Sequence, residues 1–155
     1  DGYVINFQGS EEGLAARFAV GAGVEYKVVM SDGSDRAGFW GRVSEGLGAG
    51  PKLVSRGEVS YSAESAKGEG FTEAKILSMS AARSGLALMK DGDLLMVTCA
   101  AATMAQFAQV MKALGAAEAM NLDGGASSGL VYGGKYLTKP GRALSNALVV
   151  LTDGQ

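Results

Sequence analysis

The stretch Met120-Asn121-Leu122-Asp123-Gly124-Gly125-Ala126-Ser127-Ser128-Gly129 decides how this chain is read. Apolar Ala116, Ala117, Ala119, Met120 and Leu122 run into it and Leu130-Val131 leaves it, as for a strand that breaks abruptly into glycine. Asp123 stands at that break, where Gly124 and Gly125 can take positive φ and let another molecule approach the backbone. Ser127 and Ser128 add two hydroxyls and a run of amides able to hold an oxyanion. The same residues also read as a plain turn, because Asp-Gly is a common turn dipeptide and Asp at a strand end often caps it.

Immediately upstream, Thr103 to Leu114 carries the strongest helical pattern of the chain. Thr103 and Gln106 form a capping box, Met104, Phe107, Ala108, Met111 and Leu114 share one face, and Gly115 stands where a helix-ending glycine belongs. The Met and Phe residues of that face read as core. The helix feeds the strand Glu118 to Leu122, which puts Asp123 at a strand's C-terminal end. Before the helix, Ser84 to Lys90 and Leu94 to Cys99 are apolar runs joined through Asp91-Gly92-Asp93, a hairpin. After the central stretch, Leu130 to Tyr132 and Lys135 to Thr138 form a second hairpin turning at Gly133-Gly134. Ala143 to Leu151 is strongly apolar and is expected to be a buried strand.

Nearer the N-terminus, Gly2 to Phe7 and Val24 to Met30 read as strands. Between them, Ser10 is expected to cap a short helix with Leu14, Ala15 and Phe18 on one face. Ser31 to Arg36 reads as a loop. Leu53-Val54 is a brief strand turning at Arg56-Gly57 toward Val59 and Tyr61. Ser62 to Thr72 reads as a mobile surface loop. The pattern predicts an α+β fold: a hairpin-rich mixed sheet packed with one well-defined helix and one or two weaker ones.

Composition narrows the chemistry. The chain has 155 residues, 47% of them apolar and 19% charged, which suits a globular domain. A net charge of −2 without a basic run argues against nucleic acid, and no apolar run reaches membrane-spanning length. There is no histidine, so Ser-His and Cys-His pairs and His-ligated metals are excluded. Cys99 is alone, so neither an internal disulfide nor a Cys-based zinc site can form. Acid–base work must fall to carboxylates, Lys, Tyr or that one thiol. Glycine, 24 residues, is enriched, in keeping with many tight turns. The chain starts at Asp1 rather than Met, so the lack of a targeting signal says nothing.

Taken together, these segments resemble the phosphodiester glycosidase family, that of the lysosomal uncovering enzyme and many exported bacterial proteins. Gly48-Ala49-Gly50-Pro51-Lys52-Leu53-Val54 with Arg56-Gly57-Glu58-Val59, then Arg83-Ser84-Gly85-Leu86-Ala87, follow the family's order. So do the hairpin, the helix ending at Leu114-Gly115-Ala116, the stretch Asn121 to Ser128, and Arg142-Ala143-Leu144-Ser145-Asn146-Ala147-Leu148. Two positions depart from the pattern. Ala126 replaces a third glycine, and Thr98-Cys99-Ala100-Ala101 replaces a Val-Asp-Gly that ends the second hairpin strand. The family also carries an upstream half with an Asn-Gly-Gly-Phe-Phe-like box. The chain is therefore expected to be one domain, the C-terminal part of a family domain, with a companion N-terminal fragment or self-association completing it.

The resemblance implies an enzyme that cleaves a sugar–phosphodiester or a related glycan linkage, in an exported or cell-envelope protein. Asp123 is the expected catalytic carboxylate, with Arg83 as its catalytic partner. Asn121, Gly124, Gly125, Ser127, Ser128, Arg142 and Asn146 are expected to bind substrate, and the two arginines to grip phosphate. Glycosidases commonly use two carboxyl groups, and no second one stands out. Asp91 and Asp93 read as turn residues, and Glu118 as part of the strand leading to the site. Either the partner lies elsewhere, or phosphate leaves well enough without a strong acid. The serines read as donors, since no base is present to activate them. The alternative is a non-catalytic glycan-binding or envelope module that keeps the fold. No cofactor is expected; for Ca²⁺ at Asp123, one carboxylate is too few to argue a site.

Overall fold

The structure, a computed structural model, describes residues 4–27, 37–43 and 46–151. Its contacts group the chain into two units, residues 1–46 and 47–155. In the first unit a 3₁₀ helix, Gly9–Arg17, takes the place of the expected α-helix. Gln8 occupies its N-cap without a side-chain bond, and Ser10 donates to Glu11 instead of capping. No residue of this helix is buried, so nothing apolar holds the wider α turn together. The Phe7 and Phe18 rings meet at 5.4 Å, and a short helix α1 (Ala37–Trp40) brings Phe39 and Trp40 edge to face. Val4–Phe7 and Val24–Lys27 form no strand. A strand needs a partner ladder, and among the described residues neither segment has one. Gly2, Tyr3, Val28 to Met30 and the Ser31–Arg36 loop lie outside the described residues.

The second unit is built from hairpins. Arg56 (φ 53°) and Gly57 (φ 81°) turn β1 (Lys52–Ser55) onto β2 (Glu58–Val59). Ser62 caps α2 (Ala63–Gly68) through a reciprocal pair of bonds with Ser65, so the segment read as a mobile loop is a helix. Ala66 is fully buried and anchors it. A second short helix, α3 (Ala74–Leu77), follows. Strands β3 (Ala81–Met89) and β4 (Leu94–Ala102) pair through the Asp91-Gly92 turn, with Gly92 at φ 96°. Helix α4 (Met104–Ala113) has the Thr103/Gln106 capping box and ends at Gly115, φ 89°. It leads into β5 (Ala116–Asn121). Finally β6 (Leu130–Tyr132) and β7 (Lys135–Thr138) turn at Gly133-Gly134, both at positive φ.

The five-stranded sheet has the order β2-β1-β5-β3-β4 and every pairing is antiparallel; β6 and β7 form a separate ribbon. Met104, Phe107, Ala108 and Met111 of α4 are buried against Leu53, Val54, Ala87 and Ala119. Gly85 makes this close approach possible. A Cβ there would lie 2.5 Å from Met111 Cε and 2.9 Å from Phe107 Cε1. Thr98 and Thr138 hydroxyls bond at 2.7 Å across the sheet and ribbon. The apolar run Ala143 to Leu151 corrects an expectation: it is exposed and forms no strand. Its apolar side chains signalled burial, but among the described residues no strand edge pairs with it.

The topology fixes where a site can be. Because β5 runs antiparallel to both neighbours, its C-terminal end meets the beginnings of β1 and β3. Asn121 pairs with Gly85, and its amide donates to Pro51 O at 3.0 Å.

Candidate active site

At the end of β5, Asn121 is only 3% exposed and serves as a clamp. Its Nδ2 donates to Gly50 O at 3.0 Å and to Leu122 O at 2.5 Å. Both of its amide hydrogens thus hold backbone, and its Oδ1 is buried without a partner. Asn121 therefore builds the loop on which Asp123 sits. The chain then turns through a short 3₁₀ helix, Gly125–Ser127, with Gly125 at φ 60°. Gly124 is required for another reason. A Cβ there would stand 2.7 Å from Ala82 O, so the close approach it permits is to the neighbouring strand.

Asp123 projects from this loop, its side chain 67% exposed. Oδ1 accepts from the Gly124 amide at 2.9 Å, and Oδ2 from Arg142 Nη2 at 3.2 Å. Arg142 also donates to Ser127 Oγ, through Nε at 2.8 Å and Nη2 at 2.5 Å. With its lone pairs engaged by Arg142, the Ser127 hydroxyl is free to donate to Asp123. That hydroxyl is the leading cause that holds the Asp123 pKa below its ordinary value; partial burial opposes it, while the Gly124 amide and Arg142 add to it. Asp123 is consequently a carboxylate at neutral pH, suited to act as base or nucleophile and unsuited to act as an acid.

Arg83 is 2% exposed, and its guanidinium is committed to backbone. Nε donates to Ala102 O at 2.9 Å, and Nη2 donates to Lys75 O at 2.8 Å and Met79 O at 2.6 Å. The Tyr61 hydroxyl donates to Ile76 O at 2.8 Å beside it. Together these side chains satisfy the carbonyls at the C-terminal end of α3, where a cation is also favoured by the helix dipole. No carboxylate pairs with Arg83 among the described residues. Burial lowers its pKa, an effect opposed by Tyr61 and Cys99. A guanidinium keeps its charge even so, which leaves an uncompensated buried cation.

An open cleft of ≈ 460 Å³ unites these parts. Arg83, Asn121, Asp123, Gly124 and Gly125 all line it, so the expected residues from β3 and the loop after β5 do converge. Arg142 and Ser127 stand behind Asp123 and bond it, without lining the cleft. Ser128 is buried, and Asn146 is exposed, outside the cleft lining and without a side-chain hydrogen bond among the described residues. The amides of Gly124, Ser127 and Ser128 are consumed within the loop, so they do not form the oxyanion cradle that the serines suggested.

The rest of the lining was not assigned to the site from sequence. It includes the Gly48–Gly50 loop together with Phe71, Glu73, Lys75 and Ile76. Phe71 packs so closely on Gly50 that a Cβ there would meet its ring at 2.9 Å. Glu73 and Lys75 pair at 3.2 Å with their side chains 63% and 62% exposed. Glu73 is thus a second carboxylate on the cleft, facing the question the sequence left open. The signal for this wall was the Gly48-Ala49-Gly50-Pro51 segment, which resembled the family without suggesting a site role. Among the described residues no group of three or more His, Cys, Asp or Glu could hold a metal, and no helix is long and apolar enough to cross a membrane.

Comparison with solved structures finds a hypothetical protein from Synechocystis, 37% identical with a TM-score of 0.54 over 61% of this chain. A Burkholderia pseudomallei protein whose name calls it exported is 35% identical over 41% of the chain, with a TM-score of 0.38. The zebrafish N-acetylglucosamine-1-phosphodiester alpha-N-acetylglucosaminidase catalytic domain, auto-inhibited by its pro-peptide, is 23% identical over 57%, with a TM-score of 0.43. The matched regions span 18%, 14% and 33% of those three chains respectively. No curated protein matches. The model of the phosphodiester glycosidase family matches residues 1–151, nearly the whole sequence, and the chain belongs to that family.

Proposed function

We propose that this cleft cleaves a sugar–phosphodiester or a related anionic glycan linkage, with Asp123 as the catalytic carboxylate. The observation that carries the reading is the pairing, in one cleft, of an ionised Asp123 with a buried Arg83 that has no carboxylate partner. The positive floor favours an anionic ligand, and the carboxylate supplies what a glycosyl carbon or an attacking water requires. In one route Asp123 attacks the anomeric carbon, the bond to the phosphate oxygen breaks, and water later releases the sugar. In the other it takes the proton of a water that attacks directly. Either way the phosphate monoester departs as an anion and needs no strong acid, which suits a carboxylate held in its ionised form. The first route retains anomeric configuration and the second inverts it.

The test is sugar release from a panel of sugar-phosphodiesters, native protein against Asp123→Asn. Loss of Asp123 should lower turnover by about 10²-fold or more, the usual contribution of a positioned base or nucleophile. Its melting temperature should stay close to native, because the group is largely exposed. Native protein that binds these compounds without releasing sugar would favour the alternative, a glycan-binding module.

A further inference from the structure

The expected phosphate ligand, Arg83, has little left to offer a substrate. Its Nε and Nη2 are spent on three carbonyls and the residue is 2% exposed. The cleft nevertheless carries a second cation, Lys75, on α3 rather than on the Asp123 loop. We propose that Lys75 is the residue that contacts the anionic, phosphate side of the substrate, and that Arg83 is a positioning residue that holds Lys75 in place. This rests on the reading of the cleft as a sugar–phosphodiester site.

Three observations converge on it. Among the described residues, Lys75 is the one lysine or arginine that both lines the cleft and has a largely exposed side chain. Its present partner, Glu73, lies 3.2 Å away in an exposed ion pair, and such pairs are worth little and exchange readily for a stronger anion. Its backbone carbonyl is gripped by Arg83 Nη2 at 2.8 Å, and the next residue's carbonyl by Tyr61 at 2.8 Å. A flexible ammonium is therefore carried on a helical turn that the buried guanidinium pins to the sheet. Point-charge contact of this kind is what lysine offers phosphate, whereas arginine's fork is best used where its geometry is fixed, as Arg83's is here.

The experiment measures inorganic phosphate binding to the full chain by calorimetry, for native protein, Lys75→Ala, Lys75→Arg and Lys75→Glu. Lys75→Ala should weaken phosphate about tenfold, Lys75→Glu further, and Lys75→Arg should stay within about threefold of native, as expected for one charge-assisted contact. In parallel, kcat/KM is compared between a sugar-phosphodiester and the uncharged nitrophenyl glycoside of the same sugar. The ratio of anionic to neutral turnover should fall about tenfold in Lys75→Ala. A merely structural lysine would lower both substrates together and leave that ratio in place. Phosphate bound equally by native and Lys75→Ala protein, or not bound by native protein, overturns the proposal. Failure of native protein to cleave any sugar-phosphodiester overturns the catalytic reading instead, while phosphate binding still decides Lys75.

Discussion

Replacing Arg83 with methionine is the sharpest probe of how the cleft is held. The substitution keeps an unbranched apolar stem, shorter than arginine's, and removes the donors to Ala102 O, Lys75 O and Met79 O. Hydrogen bonds from a charged donor contribute roughly 1.5–3 kcal/mol each, so three sum to about 5–9 kcal/mol before any offset. Removing a buried cation with no counter-charge recovers several kcal/mol of desolvation, as for other buried ions. The net loss should be about 3 kcal/mol, or a drop in melting temperature of about 10–15 °C for a unit of this size. The loss should be local first. The amides of Ser78 and Met79, which donate to Ala74 O at 2.9 and 3.0 Å, should exchange faster than those of α4. Thermal melts followed by circular dichroism, with hydrogen exchange resolved by residue, measure both. Arg83→Lys should fall between, since one ammonium cannot reach three carbonyls in the guanidinium's planar spread. A methionine variant that melts within about 3 °C of native, with exchange at α3 unchanged, would refute the view that this side chain organises the wall.

Two further outcomes follow from the loop after β5. Asp123 has a folded pKa below its unfolded one, so its interactions stabilise above the unfolded value of about 3.9 and are lost as pH falls through the folded value. The melting-temperature gap between native and Asp123→Asn should therefore be small and constant from neutral pH to about 5, then close below about 4, and a gap that widens on acidification would contradict this. Gly124→Ala should cost about 1–3 kcal/mol in denaturant unfolding, because its Cβ would stand 2.7 Å from Ala82 O; a neutral effect would mean the loop shifts freely.

What could be read from the sequence was what is encoded locally. The β3–β4 hairpin, α4 and the β6–β7 ribbon each carry their own punctuation: Asp91-Gly92, Thr103 with Gln106, Gly133-Gly134. Asp123 and its glycines were legible for the same reason. Arg83 shows the limit. An arginine at that position is visible, but its acceptors belong to residues 75, 79 and 102, and only tertiary folding brings them together. Gly124 was read as room for a ligand; it lines the cleft, but the need for glycine there also comes from Ala82 O, which stands where a Cβ would be. Helix α2 was hidden in the Ser62–Thr72 stretch, whose small polar residues look like loop, because the burial that stabilises it comes from Ala66, a residue with almost no hydrophobic signature. Residues 143–151 fail in the opposite sense: apolarity is a statement about transfer from water, while strand formation also requires an edge to bond to.

The placement of β5 between β1 and β3 has a kinetic meaning. The cleft's loop 48–50, Arg83 and the Asn121–Gly125 turn lie far apart along the chain, and the Asn121 to Gly50 bond alone bridges 71 residues. A hairpin closes a short loop, whereas this junction requires long-range closure, whose entropic cost rises with the logarithm of chain separation and which delays folding. A partly folded chain with only β3, β4 and α4 in place would lack Leu53, Val54 and Ala119, against which Phe107 and Met111 are buried, and would contain no cleft. Burial of the core and assembly of the binding surface are thus coupled on this topology, both waiting on the central strand to take its place.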